Sequence, residues 1–306
     1  MATTPTDLPK HTWWGALKRT FREFMDDDLL DWAAALTYYS VLSLFPAVVV
    51  LAGVVGLIGK SATQPLIDNL GSLAPGQTRD MLVDVVRQLE GSASVAGPVA
   101  IFGLLSALWA ASGYIGGFIR ASNAIYEVEE GRPIWKTLPL RLALTIAMMV
   151  LLAVTALGVV LTGGIADRVG RALGLGDTGV LVWDIAKWPV LALLVSLAIA
   201  LLFWASPNVR QPGFRWLTPG SALAVLVWVA ASAGFALYVA NFASYNKVYG
   251  SLAGVVVFLV WLWISNLAVL FGAEFDAELI RGKEIEEGHP ETEEPFLEPR
   301  DTRAMD

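Results

Sequence analysis

The sequence has no cysteine, and its two histidines, His11 and His289, both stand in polar terminal segments. Disulfides, thiolate nucleophiles and cysteine-ligated metals are therefore excluded. A histidine-rich metal centre or a histidine general base has no residues in the body to be built from. Charge is scarce too: 16% of the 306 residues are charged and 56% are apolar, with a mean hydropathy of +0.59. A soluble domain of this length is less apolar than that. The net charge of -7 belongs to the end of the chain, where nine acids and two arginines from Glu284 onward account for all of it. The body is neutral, so the acidic balance implies nothing about its partners. Residues 1–25 also lack an apolar run, so no cleavable signal peptide is expected and the first apolar helix is read as an uncleaved insertion signal.

What the chain does have is long apolar runs. DDDLLDWAAALTYYSVLSLFPAVVVLAGVVGLIG starts acidic and then stays apolar for long enough to cross a hydrocarbon layer of about 30 Å at about 1.5 Å per residue. Five further runs follow, so the fold class is all-α: a polytopic membrane protein, a bundle of six transmembrane helices. The spans are expected at about 29–59, 97–119, 142–163, 188–205, 217–240 and 251–273, within a membrane domain of residues 12–283. Residues 1–11 and the acidic C-terminal tail 284–306 read as disordered. TWWGALKRTFREFM carries Trp13, Trp14, Leu17, Phe21 and Phe24 at helical spacing with Lys18, Arg19 and Arg22 between them, which predicts an N-terminal interfacial helix. The rival reading of that basic, aromatic segment, nucleic-acid binding, is set aside because the cations are few. In the first exterior loop, Met81, Leu82, Val85, Val86 and Leu89 mark an amphipathic helix, either a surface helix or a lid.

Pro46 removes a backbone donor and frees the Leu42 carbonyl, so a kink is expected there, with Ser43 available as a partner for the freed oxygen. Gly113, Gly116, Gly117 and the Gly250–Gly254 pair are small residues that let a neighbour approach closely. Lys187 is expected to snorkel outward. With the termini cytoplasmic, 14 of the 21 cations lie inside and 7 outside, although two long loops are outside. The positive-inside rule therefore puts both termini in the cytoplasm.

DWAAALTYYSVLSLFP, LWAASGYIGGFIRASNAIYEVEEGRP and ASYNKVYGSLAGVVVFLVWLWISNLAVLFGAEFDAEL, in that order, resemble the signature segments of the YihY/BrkB family of bacterial inner-membrane proteins. The resemblance runs from about residue 12 to about 283 and implies six transmembrane helices in the bacterial cytoplasmic membrane. The family also carries the labels "virulence factor BrkB" and "ribonuclease BN". A metal-dependent nuclease needs clustered ligands and a basic surface for RNA. The sequence offers neither, so no enzyme, cofactor or nucleic-acid partner is expected.

Polar residues within or beside spans are the candidate site. They are Asp31, Thr37, Tyr38, Tyr39, Ser40, Ser43 and Pro46 on the first helix, and Ser112, Arg120 and Asn123 on the second. Asn241, Tyr245, Tyr249, Asn266 and Glu274 lie on or near the last two. Each is also explained by hydrogen bonding between helices. As a set they predict a partly hydrated cavity among helices one, two and six, with an ion cluster of Asp31, Arg120 and Glu274. Two functions follow: a transporter of a small solute, ion or lipid, whose partners are the bilayer and an unknown substrate, or a membrane scaffold for envelope partners. Assembly as a homo-oligomer is compatible with either.

Overall fold

The computed structural model describes residues 9–58, 96–160, 177–211, 213–241 and 253–305. Their backbone is helical apart from turns and one isolated bridge, Val209 to Pro299. The helices are α1 (Lys10–Asp26), α2 (Leu29–Ile58), α3 (Ala96–Ile125), α4 (Ile134–Val160), α5 (Asp177–Ala205), α6 (Pro219–Asn241) and α7 (Ala253–Glu286). Among the described residues five stretches are long and apolar enough to cross a membrane: Ile101–Ile125, Ile134–Thr155, Ile185–Ala205, Pro219–Val239 and Gly254–Glu286. α2, 30 residues long, would extend about 45 Å, and its apolar sequence makes it the sixth. The amphipathic helix expected near residues 81–89, with Tyr245 and Tyr249, lies outside the described residues.

The chain forms two compact units, one of Met1–Thr37 with Ile115–Asp306 and the other of Tyr38–Tyr114. In the smaller unit the Tyr39 ring lies over Gly113, where an added Cβ would come 3.2 Å from it. The close approach expected at this glycine is thus made by a side chain. The α2 backbone is helical through Pro46, and the Ser43 hydroxyl donates to the Ser40 carbonyl at 2.7 Å, where the Leu42 carbonyl was the expected acceptor. A hydroxyl in an apolar helix satisfies itself most cheaply on a carbonyl one turn back. Ser112, which donates to the Trp109 carbonyl at 2.6 Å, does the same.

In the larger unit the acidic run Asp26–Asp28 makes the turn between α1 and α2. Asp28 takes the left-handed conformation, φ 53°, which a short polar side chain tolerates better than most. The turn brings α1 back along α7. Ala16 packs with Phe275 and Leu279, flanked by Trp13, Leu17 and Leu223, and Phe21 and Phe24 meet the Phe271 ring at 5.2 and 5.8 Å. This partly corrects the interfacial-helix expectation: α1 buries a stripe of Thr12, Ala16, Thr20 and Glu23 against protein, while Trp14 stays 70% exposed. α7 also runs on past residue 273. Its charged end, EFDAELIRGKE, stays helical to Glu286 because α1 covers it. α5 begins at Asp177 and keeps its helix through Pro189, and Lys187, expected to reach outward, is buried with its ammonium 5.7 Å from the Trp188 ring centre.

α6 and α7 make the closest helix pair. Trp228 donates to Ser265 at 3.0 Å and Trp261 to Ser232 at 3.2 Å, so each indole N–H finds a hydroxyl on the opposite helix. Near the charged end the backbones meet at Gly220 and Gly272, where a Cβ on either would run into the other's carbonyl oxygen. Asp276, buried, accepts from the Gly220 N–H at 2.6 Å and so satisfies an orphan donor at the start of α6. Gly254, expected to mediate close packing, has open space where a Cβ would go. Gly272→Ala should therefore lower thermal stability in detergent by an overpacking cost of about 1–3 kcal/mol. Gly254→Ala should leave it unchanged or raise it by up to about 1 kcal/mol through helix propensity. Equal melting shifts for the two would refute this assignment of the contact.

Candidate functional site

The polar and charged groups of the larger unit gather at one end, where α1, the α3–α4 and α5–α6 connections, the end of α7 and the C-terminal tail meet. Arg281 stands at the centre. It is 5% exposed, and its guanidinium lies 3.4 Å from Glu278, 3.6 Å from Glu127, 3.7 Å from Glu294 and 4.0 Å from Glu23. It also donates to the Glu291 carbonyl at 2.9 Å and lies 5.4 Å from the Phe296 ring centre. Arg19 of α1 reaches the same Glu278 carboxylate and donates to its carbonyl at 3.1 Å. Glu274, 1% exposed, feels the charges of Asp27, Glu278 and Glu23.

The tail completes a second network. Asn208, fully buried, donates from Nδ2 to the carbonyls of Glu129 and Asp301 at 3.1 and 2.8 Å, and its Oδ1 accepts from the Asp301 N–H at 3.1 Å. Its own N–H goes to Asn123 Oδ1 at 2.8 Å, and Asn123 Nδ2 donates to Glu130 at 3.1 Å. Arg132 clasps Glu130 through two bonds of 2.7 Å and spends a further 2.7 Å bond on the Ser206 carbonyl. A Cβ at Gly131 would collide with the Asp301 carbonyl, so only glycine lets the tail lie this close. Arg300 donates to the carbonyls of Val209 and Trp204, and Lys136 pairs with Asp301 at 2.8 Å. The expectation of a disordered tail is thus corrected. Glu294 and Glu298 stay exposed but meet Arg281 and Arg210, and Asp301 pairs with Lys136, while Asn208 and Arg300 hold the tail's backbone to the connections. Beneath it lies a cavity of 540 Å³ with Arg210, Glu284, His289, Glu293 and Phe296 on its walls.

The expected site residues fall in different places. Thr37 and Asn266 come together: both are buried, Asn266 Nδ2 donates to Thr37 Oγ1 at 3.0 Å, and Thr37 donates to the Ala33 carbonyl at 2.8 Å. Glu274 does join a charge cluster, but the groups weighing most on it are Asp27, Glu278 and Glu23, whereas Asp31 and Arg120 are exposed. Asn123 is part of the tail-binding network. Tyr38 is exposed and Tyr39 and Ser40 are half-buried, while Pro46 and Asn241 are described in backbone only. Sequence reading missed Arg281, Arg132, Asn208 and Asp27. One signal was present for the first: Glu274, Glu278 and Arg281 stand at i, i+4 and i+7, one face of a helix.

These features define a polytopic helical membrane protein with a charged, densely bonded cap on one end of its bundle. The chain belongs to the virulence factor BrkB family, whose model matches residues 20–295. Among its relatives is a Bacillus subtilis protein, YfkH, whose name qualifies it as ribonuclease-like. It is 27% identical over 274 residues, 90% of this chain and 98% of YfkH. A UPF0761 membrane protein of Alkalilimnicola ehrlichii is 32% identical over 267 residues, and one of Alteromonas mediterranea is 29% identical over 261. The matches cover 84% and 83% of this chain, with 56% of the former protein and 84% of the latter. The chain thus spans little more than half the length of the Alkalilimnicola relative, and 59% of one from Xanthomonas campestris. No solved structure matches it.

Removing Arg281 strands acids from four segments, and breaking a buried pair costs about 3–5 kcal/mol. Arg281→Ala should therefore lower the melting temperature sharply, and Arg281→Lys should recover only part of it because a point charge cannot span the fork. Full stability in Arg281→Ala would rule out the central role. Burial and the nearby Glu127 and Glu23 push the Asp27 carboxyl up to about 7. Burial, only partly offset by Arg281, pushes Glu127 up to about 7 as well. A carboxyl raised on folding binds more protons in the folded state, so its contribution is complete below the unfolded value of about 4 and is lost as pH rises through about 7. Asp301, held well below the usual carboxylate range by Arg303 and Lys136, acts in the opposite sense at pH values below that window. Melting temperature should fall from about pH 4 to about pH 7, and Asp27→Asn with Glu127→Gln should flatten the fall. An unchanged slope in the double variant would contradict the assignment.

Proposed function

We propose that the protein moves a small solute, ion or lipid across the bacterial cytoplasmic membrane, with both termini in the cytoplasm, and that it is not an enzyme. The carrying observation is the Thr37–Asn266 pair, a hydroxyl and an amide buried against each other between two membrane helices. Polar groups at that depth mark pathways or sites far more often than anchoring requires. The sidedness rests on the cation count, and the cationic connections meet both described ends of the chain in one cap. Against the scaffold reading stands the tail. Its acids are engaged within the chain, Glu294 with Arg281, Glu298 with Arg210 and Asp301 with Lys136, which leaves less of it for a partner. Against a metal-dependent nuclease, no three His, Asp or Glu among the described residues are grouped as a metal would need.

Purified protein in lipid vesicles should accelerate the movement of at least one probe class over protein-free vesicles, the probes being a labelled zwitterionic amino acid, sodium or potassium, and a headgroup-labelled phospholipid. In a chain free of other cysteines, single cysteines at the half-buried Tyr39 and Ser43 should react with a water-soluble maleimide, and one at Asn266, 5% exposed, should react slowly, as its helices part. Inert cysteines together with no movement of any probe would leave the scaffold as the better reading.

A further inference from the structure

The cap holds more acid than its cations offset. Around Asp27 and Glu274 stand Glu23 from α1, Glu127 from the turn after α3, and Glu278 from α7. The cations within this group are Arg19 and Arg22 on α1 and Arg281 on α7, while the tail adds Glu291 and Glu294. The Asp27 and Glu274 carboxyls lie near enough to act on each other, and no N–H or O–H of the protein reaches Glu274 Oε2, on a residue only 1% exposed. Ionised carboxylates are acceptors only, so a bond between two of them needs a proton on one. Like charges that close cannot both persist in a buried site, and a carboxyl dyad resolves the conflict by sharing a proton. Glu127 extends the group towards solvent. Its carboxyl stands 3.6 Å from the Arg281 guanidinium, its side chain is 21% exposed, and its Oε2 also lacks a donor. It occupies a left-handed position, φ 51°, that glycine would take at lower cost, so the carboxyl is kept there against local strain.

We infer that Asp27 and Glu274 form a proton-binding site in which one proton is shared between the two carboxyls and exchanges with solvent by way of Glu127. A proton fits better than a metal ion, since no metal-holding group of three occurs among the described residues. On the transport reading this proton is the coupling ion, and to that extent the inference rests on that reading.

Infrared spectroscopy of the full chain in lipid nanodiscs reads the proton directly. A protonated-carboxyl carbonyl band that shifts in D2O should persist at neutral pH and disappear on further alkalinisation. Asp27→Asn and Glu274→Gln each place an amide donor where the proton sat, and each, compared in a Glu127→Gln background, should reduce the band at neutral pH. Complete ionisation of the wild-type protein at neutral pH overturns the site without recourse to any variant, as does a band that neither substitution reduces. A band that behaves as expected, alongside vesicles that move no probe, keeps the proton site and defeats the transport reading alone.

Discussion

A guanidinium taken out of water recovers its desolvation only from the acceptors that meet it. Arg281 imposes that condition on the cap, where its Nη groups are met and its Nε finds no acceptor. Its planar fork is met by acids that no single segment could supply: Glu23 comes from α1, Glu127 from the end of α3, Glu278 from its own helix and Glu294 from the tail. For Glu23 to arrive, α1 must lie along α7, which requires the tight turn at Asp26–Asp28. For Glu127 to arrive, α3 must end in a left-handed residue. The tail must double back for the Glu291 carbonyl to accept from Arg281 and for the Phe296 ring to lie beside it. One buried charge thus fixes the ends of three helices and the course of the last twenty residues or so.

The same electrostatics reconcile two features that look opposed in the sequence. The α3–α4 and α5–α6 connections carry Arg132 and Arg210, Lys136 opens α4 beside them, and cations gathered at one end of the larger unit repel one another. The C-terminal tail carries the complementary charge. Glu294, Glu298 and Asp301 meet Arg281, Arg210 and Lys136, and Tyr126 stacks on Phe296 with ring centres 5.6 Å apart. The pairs differ in worth: Arg210–Glu298 is exposed and contributes little, whereas Arg132, which holds Glu130 and the Ser206 carbonyl, is buried and obligatory. The tail is therefore bound chiefly by Asn208, Arg281 and the backbone.

The membrane helices were legible because hydropathy is a property of local composition, and a run of twenty apolar residues has few other uses. α6, Pro219–Asn241, lies within two residues of the span read from hydropathy, whereas α4 starts at Ile134, eight residues before the apolar run expected from about 142. The cap was not legible because its stability comes from pairs far apart in the chain. Asn123 with Asn208 and Arg281 with Glu23 leave no mark on local periodicity, so a charged run after an apolar one reads as the end of a helix and an acidic tail reads as solvated. Of the candidate residues, Thr37, Asn266 and Glu274 are buried; a polar group on a membrane helix is costly unless it faces protein. Arg120 was singled out for its place at a helix end. The arginines that organise the cap, Arg132 and Arg281, are distinguished only by burial, which a sequence does not display.

α7 carries both polar features on one side. Asn266, Leu270 and Glu274 follow one another at i, i+4 and i+8, about 6 Å apart along the axis at each step, so the Thr37–Asn266 pair and the Asp27–Glu274 pair are separated by one apolar layer. Leu270 is fully buried in that layer, and Leu29, Ala33 and Leu36 of α2 are buried too. Neither a hydrated solute nor a proton crosses packed leucine and alanine at useful speed, since nothing there replaces water as a hydrogen-bond partner. A shift of α2 against α7 would break the bonds from Asn266 to Thr37 and from Trp263 to the Leu30 carbonyl. On the proton-sharing inference the charge state of the cap bears on the same helix, because an ionised Glu274, buried on α7, and the half-buried Asp27 repel each other.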